Sequence, residues 1–156
     1  MTKNAVRIFL DSNVILSGLL SDKGAPKIIL DILSLKLSFL TGLTGQYNII
    51  EIERNIKKKL PRALPVYKKY FPKSTIKIIP LPSAEEIRKY SGRVSEKDVP
   101  VLVSAIKGNV DFLLTGDKRH FEKLKNLRKY PFAVVSPSEF LDTILPEIIK
   151  RLSPKT

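Results

Sequence analysis

Cysteine and tryptophan are absent from the 156-residue sequence, and histidine occurs once, as His120. Without cysteine there can be no disulfide, no thiolate nucleophile and no Cys-based zinc or iron–sulfur site. A single histidine excludes His-rich metal sites. No Gly-rich turn follows the first apolar run, which removes the usual dinucleotide-binding fingerprint. Apolar runs of membrane length are missing too, because Asp11 and Asn13 interrupt "AVRIFLDSNVILSGLL" and no small-residue cleavage site follows. Neither a signal peptide nor a membrane span is expected, and a cytoplasmic protein is predicted.

Acidic residues are also scarce, with 15 Asp and Glu against 28 Lys and Arg and a net charge of +13. The excess is localised. Residues 54–79 hold nine Lys or Arg and no acid, and residues 118–130 hold six against Glu122 alone. Such a pattern suggests a polyanionic partner, nucleic acid first and anionic lipid second. The solvated surface of a heat-adapted protein would have a similar composition. The length suits one domain spanning residues 1–156, and 43% hydrophobic content provides for a packed core.

Residues 6–10 read as a buried strand ending at Asp11, with Ser12 or Asn13 capping a helix that runs to Leu20. A second helix follows Gly24, with Pro26 near its start, where proline is tolerated. A strand at 38–41 and a helix from about 46 to 60 come next, the latter ended by Pro61. A short helix around Leu64–Phe71, a strand at 75–79, and helices at about 83–90 and 96–107 continue the alternation. Gly108 and Asn109 signal a stop before a strand at 110–114. A last strand at 132–135 leads to Ser136-Pro137, which open a helix to about 151. Strands alternating with helices predict a three-layer α/β/α fold with a central parallel sheet of about four to five strands. Ligands in such folds bind beyond the carboxyl ends of the strands.

That edge is where the acids fall. Asp11 follows the first strand directly, and Asp117 follows the strand 110–114 across Thr115-Gly116. Either could be a cap or turn aspartate. Asp98 shares a helix face with Val101, Leu102, Ala105 and Ile106, so its charge needs a partner. A capping box with Ser95 would also account for it.

The blocks "IFLDSNVILSGLL", "SEKDVPVLVSAI" and "VDFLLTGDKRHF" together resemble the PIN-domain family, whose members are mostly ribonucleases, including toxins of many type II toxin–antitoxin pairs. The likeness covers roughly residues 5–140. It implies that Asp11, Asp98 and Asp117 are catalytic, metal-binding acids. It also implies a fourth acid at the start of the helix after the second strand, matched best by Glu51. Helical periodicity instead puts Glu53 at the edge of the apolar stripe Ile49, Ile52, Ile56 and Leu60, with Glu51 opposite. Asn13 and Thr115 match supporting positions that hydrogen-bond the acids. Many members carry another acid two residues after "TGD", where this chain has Arg119.

Clustered carboxylates raise one another's pKa unless a cation neutralises them. Oxygen ligands without His or Cys favour Mg²⁺ or Mn²⁺, and hydrolysis by an in-line water would leave a 5′-phosphate and a 3′-hydroxyl, as the resemblance implies. RNA is the expected substrate, its backbone bound by Lys57, Lys58, Arg62, Lys118 and Arg119. A small antitoxin protein and a second copy of the chain are candidate partners. Tyr67, Tyr70 and Phe71, interleaved with Lys68 and Lys69, suit either base stacking or the packing of a short helix. His120 reads as a surface or packing residue.

Two rivals are weaker on motif grounds. A phosphatase of the haloacid dehalogenase type wants an acid at position 13, where Asn13 stands, and a receiver-like domain shares only the first-strand aspartate. A catalytically silent nucleic-acid-binding or scaffold protein with the same fold is the alternative from another class.

Overall fold

The computed structural model describes residues 5–71, 75–121 and 130–153. Five parallel strands form one sheet in the order β3-β2-β1-β4-β5. They are β1 (Val6–Leu10), β2 (Leu40–Gly45), β3 (Lys77–Ile79), β4 (Phe112–Leu114) and β5 (Ala133–Val135). In β1, Ile8 pairs with both Gly42 and Phe112, so the first strand is the middle one. Both faces of it are covered. Ile8 and Leu10 enter one apolar cluster and Phe9 the other, as period-2 side-chain alternation requires. This two-sided burial explains why the strand reads as a continuous apolar run.

On the Ile8 face lie α1 (Ser12–Leu20), α2 (Ala25–Ser34), α3 (Gln46–Lys59) and α4 (Leu64–Tyr70). The carboxy-terminal segment joins them, from α7 (Pro137–Glu139) through a π-helical stretch, Phe140–Ile144, into α8 (Leu145–Leu152). The Phe9 face is covered by α5 (Ala84–Tyr90) and α6 (Val99–Lys107). The result is the expected three-layer α/β/α arrangement. Among the described residues no helix is long and apolar enough to cross a membrane.

The chain runs outward from β1 to β3, then crosses back to place β4 against the other side of β1. A crevice opens at such a reversal, beyond the carboxyl ends of the two strands. The backbone N–H of Asp11 donates to the Leu114 carbonyl at 2.9 Å, and that of Thr115 to Val135 at 3.1 Å. The residues after β1 and β4 therefore emerge side by side.

Several boundaries differ from the sequence reading. The second strand begins at Leu40 and runs to Gly45 rather than covering 38–41. Its glycines hide it: a Cβ on Gly42 would lie 2.7 Å from Leu33 Cδ1, so the strand trades a side chain for close packing of α2. The fourth strand starts at Phe112, since Asn109 takes a left-handed turn (φ 51) and the Asp111 carboxylate accepts from the Arg7 backbone N–H at 2.8 Å. The cap of α1 is Asp11, whose carboxylate accepts from Ser12 N–H, rather than Ser12 or Asn13. Residues 96–107 divide into a 3-10 turn, Glu96–Asp98, and α6.

Gly45 ends β2 directly beneath the crevice. A Cβ there would lie 2.8 Å from Ser104 Oγ and 2.9 Å from Asn48 Oδ1, both on fully buried residues. Gly45→Ala should lower stability by about 1–3 kcal/mol, measured as a fall in the denaturant midpoint. An unchanged midpoint would mean that α3 shifts aside freely.

Candidate active site

Asp11 is only 8% exposed although it terminates a strand at the molecular edge. Three neighbours converge on its carboxylate. Oδ1 accepts from Ser12 N–H at 2.8 Å and from Asn48 Nδ2 at 3.3 Å, while Oδ2 accepts from Thr115 Oγ1 at 2.9 Å. Asn48 is held in turn by donating to Ser12 Oγ at 2.9 Å. Thr115 Oγ1 accepts from the backbone N–H of Asp117 at 3.2 Å, so one hydroxyl joins two of the acids. Burial nevertheless dominates: desolvation pushes the Asp11 carboxyl up to about 6, and the charges of Glu51 and Asp98 add to the rise.

Asp98 closes the 3-10 turn before α6 and is equally buried at 8%. It does not form a capping box. The Ser95 hydroxyl donates to Asp98 Oδ2 instead of accepting from its backbone. Asp117 is more open. Arg119 Nε approaches its Oδ1 at 3.4 Å from a side chain that is 84% exposed. The imidazole of His120 lies between the two acids, with Nδ1 3.4 Å from Asp98 Oδ2 and Nε2 3.0 Å from Asp117 Oδ2. Fully buried Phe121 anchors the turn Lys118–Phe121 from which this ring projects.

Glu51 lies within electrostatic reach of this group. Its charge reaches Asp11 and the Tyr47 hydroxyl, whereas that of Glu53 reaches Tyr67 on α4. Asn13 makes no hydrogen bond to the acids; it accepts from Gly116 N–H at 3.0 Å and so shapes the turn that carries Asp117. Lys57, Lys58 and Arg62 are exposed. Lys118 is engaged by Glu139. Of the second basic run, residues 122–129 lie outside the described residues. Tyr67 and Phe71 stack at 5.3 Å and belong to the core cluster, while Tyr70 is 54% exposed with Lys69 Nζ 5.6 Å from its ring centroid.

Two contributors escaped sequence reasoning. Asn48 had a signal, since it is a polar residue on the apolar stripe of α3, fully buried beside Ile49 and Ile52. His120 had none, because no periodicity relates position 120 to position 98.

Residues 7–119 match the family described as PIN domain. The chain belongs to the PIN domain family. Members are generally nucleases and typically use divalent metals. The structure is similar to that of VapBC2 from Rickettsia felis bound to a DNA fragment from their promoter, with a TM-score of 0.61 and 14% identity over 84% of this chain and 98% of that one. It is similar to FitAcB from Neisseria gonorrhoeae, with a TM-score of 0.58 and 19% identity over 84% and 98%. It is also similar to DNA-bound VapBC from Salmonella typhimurium, with a TM-score of 0.60 and 15% identity over 85% and 98%. At these identities the likeness is one of fold. No curated protein matches the sequence.

The donors suit a hard divalent cation: a buried carboxylate with a raised pKa beside further acids is the arrangement that positive charge relieves. Among the described residues, no three Asp, Glu or His side chains, His120 included, enclose a point closely enough, as they stand, to hold an ion. Binding would require the donors to draw together around it.

The raised carboxyl has a thermodynamic consequence. A group with a higher pKa folded than unfolded stabilises the fold when protonated and loses that contribution as pH rises. For Asp11 the window lies between 3.8 and about 6. Asp11→Asn should therefore stabilise the metal-free protein at pH 7 by on the order of 2 kcal/mol, with the gain vanishing near pH 4. Thermal melting of both proteins in EDTA across this range measures it; a variant less stable at pH 7 would show that the charge itself supports the fold.

Proposed function

We propose that the chain is a Mg²⁺- or Mn²⁺-dependent endoribonuclease that hydrolyses phosphodiester bonds of single-stranded RNA, with Asp11, Glu51, Asp98 and Asp117 holding the cation. Asp11 carries this reading. A carboxylate is held deep at the switch point of the sheet by three donors, close to two further acids whose charges oppose its ionisation. A purely structural cap would not need such company. The cation, when bound, would activate water and neutralise charge on the leaving oxygen.

The protein's own groups have separable tasks. Ser12, Asn48 and Thr115 fix both Asp11 oxygens, so the remaining lone pairs face the crevice in one orientation. Lys57, Lys58 and Arg62 draw the RNA backbone toward the far end of α3 without reading sequence. Arg119 extends into solvent beside Asp117 and can reach a phosphate on that side. Lys118 would have to leave Glu139 to join it. The family and the likeness to the VapBC and FitAcB structures support a toxin role with a small antitoxin protein as partner.

Asp11→Asn should abolish cleavage of single-stranded RNA by the Mn²⁺- or Mg²⁺-loaded protein, because the amide keeps the size and loses the charge that binds a hard cation. Cleavage by the variant at the wild-type rate would remove Asp11 from the mechanism. A wild-type protein that binds RNA but never cuts it with either metal would favour the silent scaffold.

RNA affinity should fall steeply with salt. Replacing Lys57, Lys58 and Arg62 together by Ala should flatten the log–log slope by roughly one unit per lost phosphate contact. An identical slope in the triple variant would reduce this face to solvated surface.

A further inference from the structure

We infer that His120 is a nitrogen ligand of the cation and makes the site prefer Mn²⁺ over Mg²⁺. The inference rests on the metal-dependent reading above and adds to it a donor outside the four acids. In an octahedral site with bonds of about 2.1 Å, neighbouring ligand atoms lie about 3 Å apart. His120 Nε2 is 3.0 Å from Asp117 Oδ2. The two atoms already have the spacing of adjacent corners of such a site.

The other ring nitrogen faces a second acid. With its proton on Nδ1, the ring faces Asp98 Oδ2 at 3.4 Å, the same oxygen that accepts from the Ser95 hydroxyl. Asp98 would then orient the imidazole through one oxygen and keep Oδ1 for the ion. A carboxylate behind a ligating histidine fixes the tautomer and strengthens the donor. The anchor is firm, since Phe121 is fully buried next to His120 in the chain. The ring itself is accessible, with its side chain 37% exposed.

The consequence is selectivity. An all-oxygen set suits Mg²⁺, whereas an imidazole nitrogen favours transition ions. One nitrogen among carboxylates moves the balance toward Mn²⁺ without closing the site to Mg²⁺. The position also bears on Arg119, which stands where many relatives have another acid: the histidine next to it supplies a donor to a set that lacks that acid.

The test is metal binding rather than turnover. Full-length protein is titrated calorimetrically with Mn²⁺ and separately with Mg²⁺, and the Mn²⁺-loaded protein is examined by pulsed electron paramagnetic resonance for coupling to imidazole nitrogen. The wild type should bind Mn²⁺ more tightly and show the coupling. In His120→Ala the coupling should vanish and the Mn²⁺ to Mg²⁺ affinity ratio should fall by about tenfold or more. His120→Gln, which places an amide oxygen near the position of Nε2, should still bind a cation, without the imidazole coupling and with its preference moved toward Mg²⁺. A wild type that binds Mn²⁺ with no nitrogen coupling overturns the inference and leaves the nuclease reading standing. So does a His120→Ala variant that binds Mn²⁺ as tightly or more tightly, which would make the ring a mere occupant of the cation's place. A wild type that binds neither ion removes the metal-dependent reading and this inference together.

Discussion

Burying Asp11 is the constraint around which the crevice is organised. A carboxylate taken out of water favours its neutral form unless hydrogen bonds or a cation compensate. Here the compensation comes from three separate elements: the first turn of α1, the α3 residue Asn48, and Thr115 beyond β4. Ser12 is the next residue in the chain, but neither Asn48 nor Thr115 could reach Asp11 without the sheet. Thr115 arrives because β4 pairs with β1, and Asn48 because α3 begins where β2 ends beside β1. Strand order is thus the first cause of the site. Even so, the donors do not bring the carboxyl down to its ordinary range, and the remaining deficit is an electrostatic demand for positive charge.

The protein's abundant cations do not meet that demand. Lys57, Lys58 and Lys59 occupy the last turn of α3, where positive charge also complements the helix dipole. Lys118 is taken by Glu139. Among the described residues, the basic groups that reach the aspartates are a loosely placed Arg119 and the His120 imidazole. The acids of the crevice therefore have few basic partners within a chain of net charge +13. A permanent lysine in the crevice would satisfy the acids and exclude a divalent ion; leaving them under-neutralised keeps the place open for one.

Much of this was legible before any coordinates, for physical reasons that differ by element. A strand buried on both faces must be apolar throughout, so β1 and its terminal aspartate stood out at once. The position of β2 was harder to read, because Gly42 and Gly45 are required by close packing and carry none of the side-chain pattern that announces a strand. The cap of α1 was misplaced by one residue because aspartate, serine and asparagine in succession all satisfy the same preference, and only the backbone decides among them. The His120 contacts were beyond reach of sequence reasoning, since they depend on how a 3-10 turn after β4 meets another before α6, two segments with no shared periodicity.

Glu51 and Glu53 show what periodicity leaves unsaid about the flanks of a helix. On α3 the buried positions include Ile49, Ile52 and Ile56, and a helical wheel places Glu51 away from them. By periodicity alone that direction is simply opposite the apolar stripe. Successive residues on a helix point about 100° apart, so Glu51 lies about 100° from Ile52 and farther still from Ile49 and Ile56. A helix that follows a strand directly begins over the carboxyl edge of the sheet, so its first turns can face that edge from outside the core stripe. Tyr47 and Glu51, four residues apart, share that flank, and both lie within the field of Asp11. The charge of Glu53, one position beyond Ile52, is felt by Tyr67 on α4. The core stripe of a helix thus records only its contact with the sheet face, while a site at the sheet's edge is lined from the neighbouring flank, where polar residues carry no apolar signature to mark them.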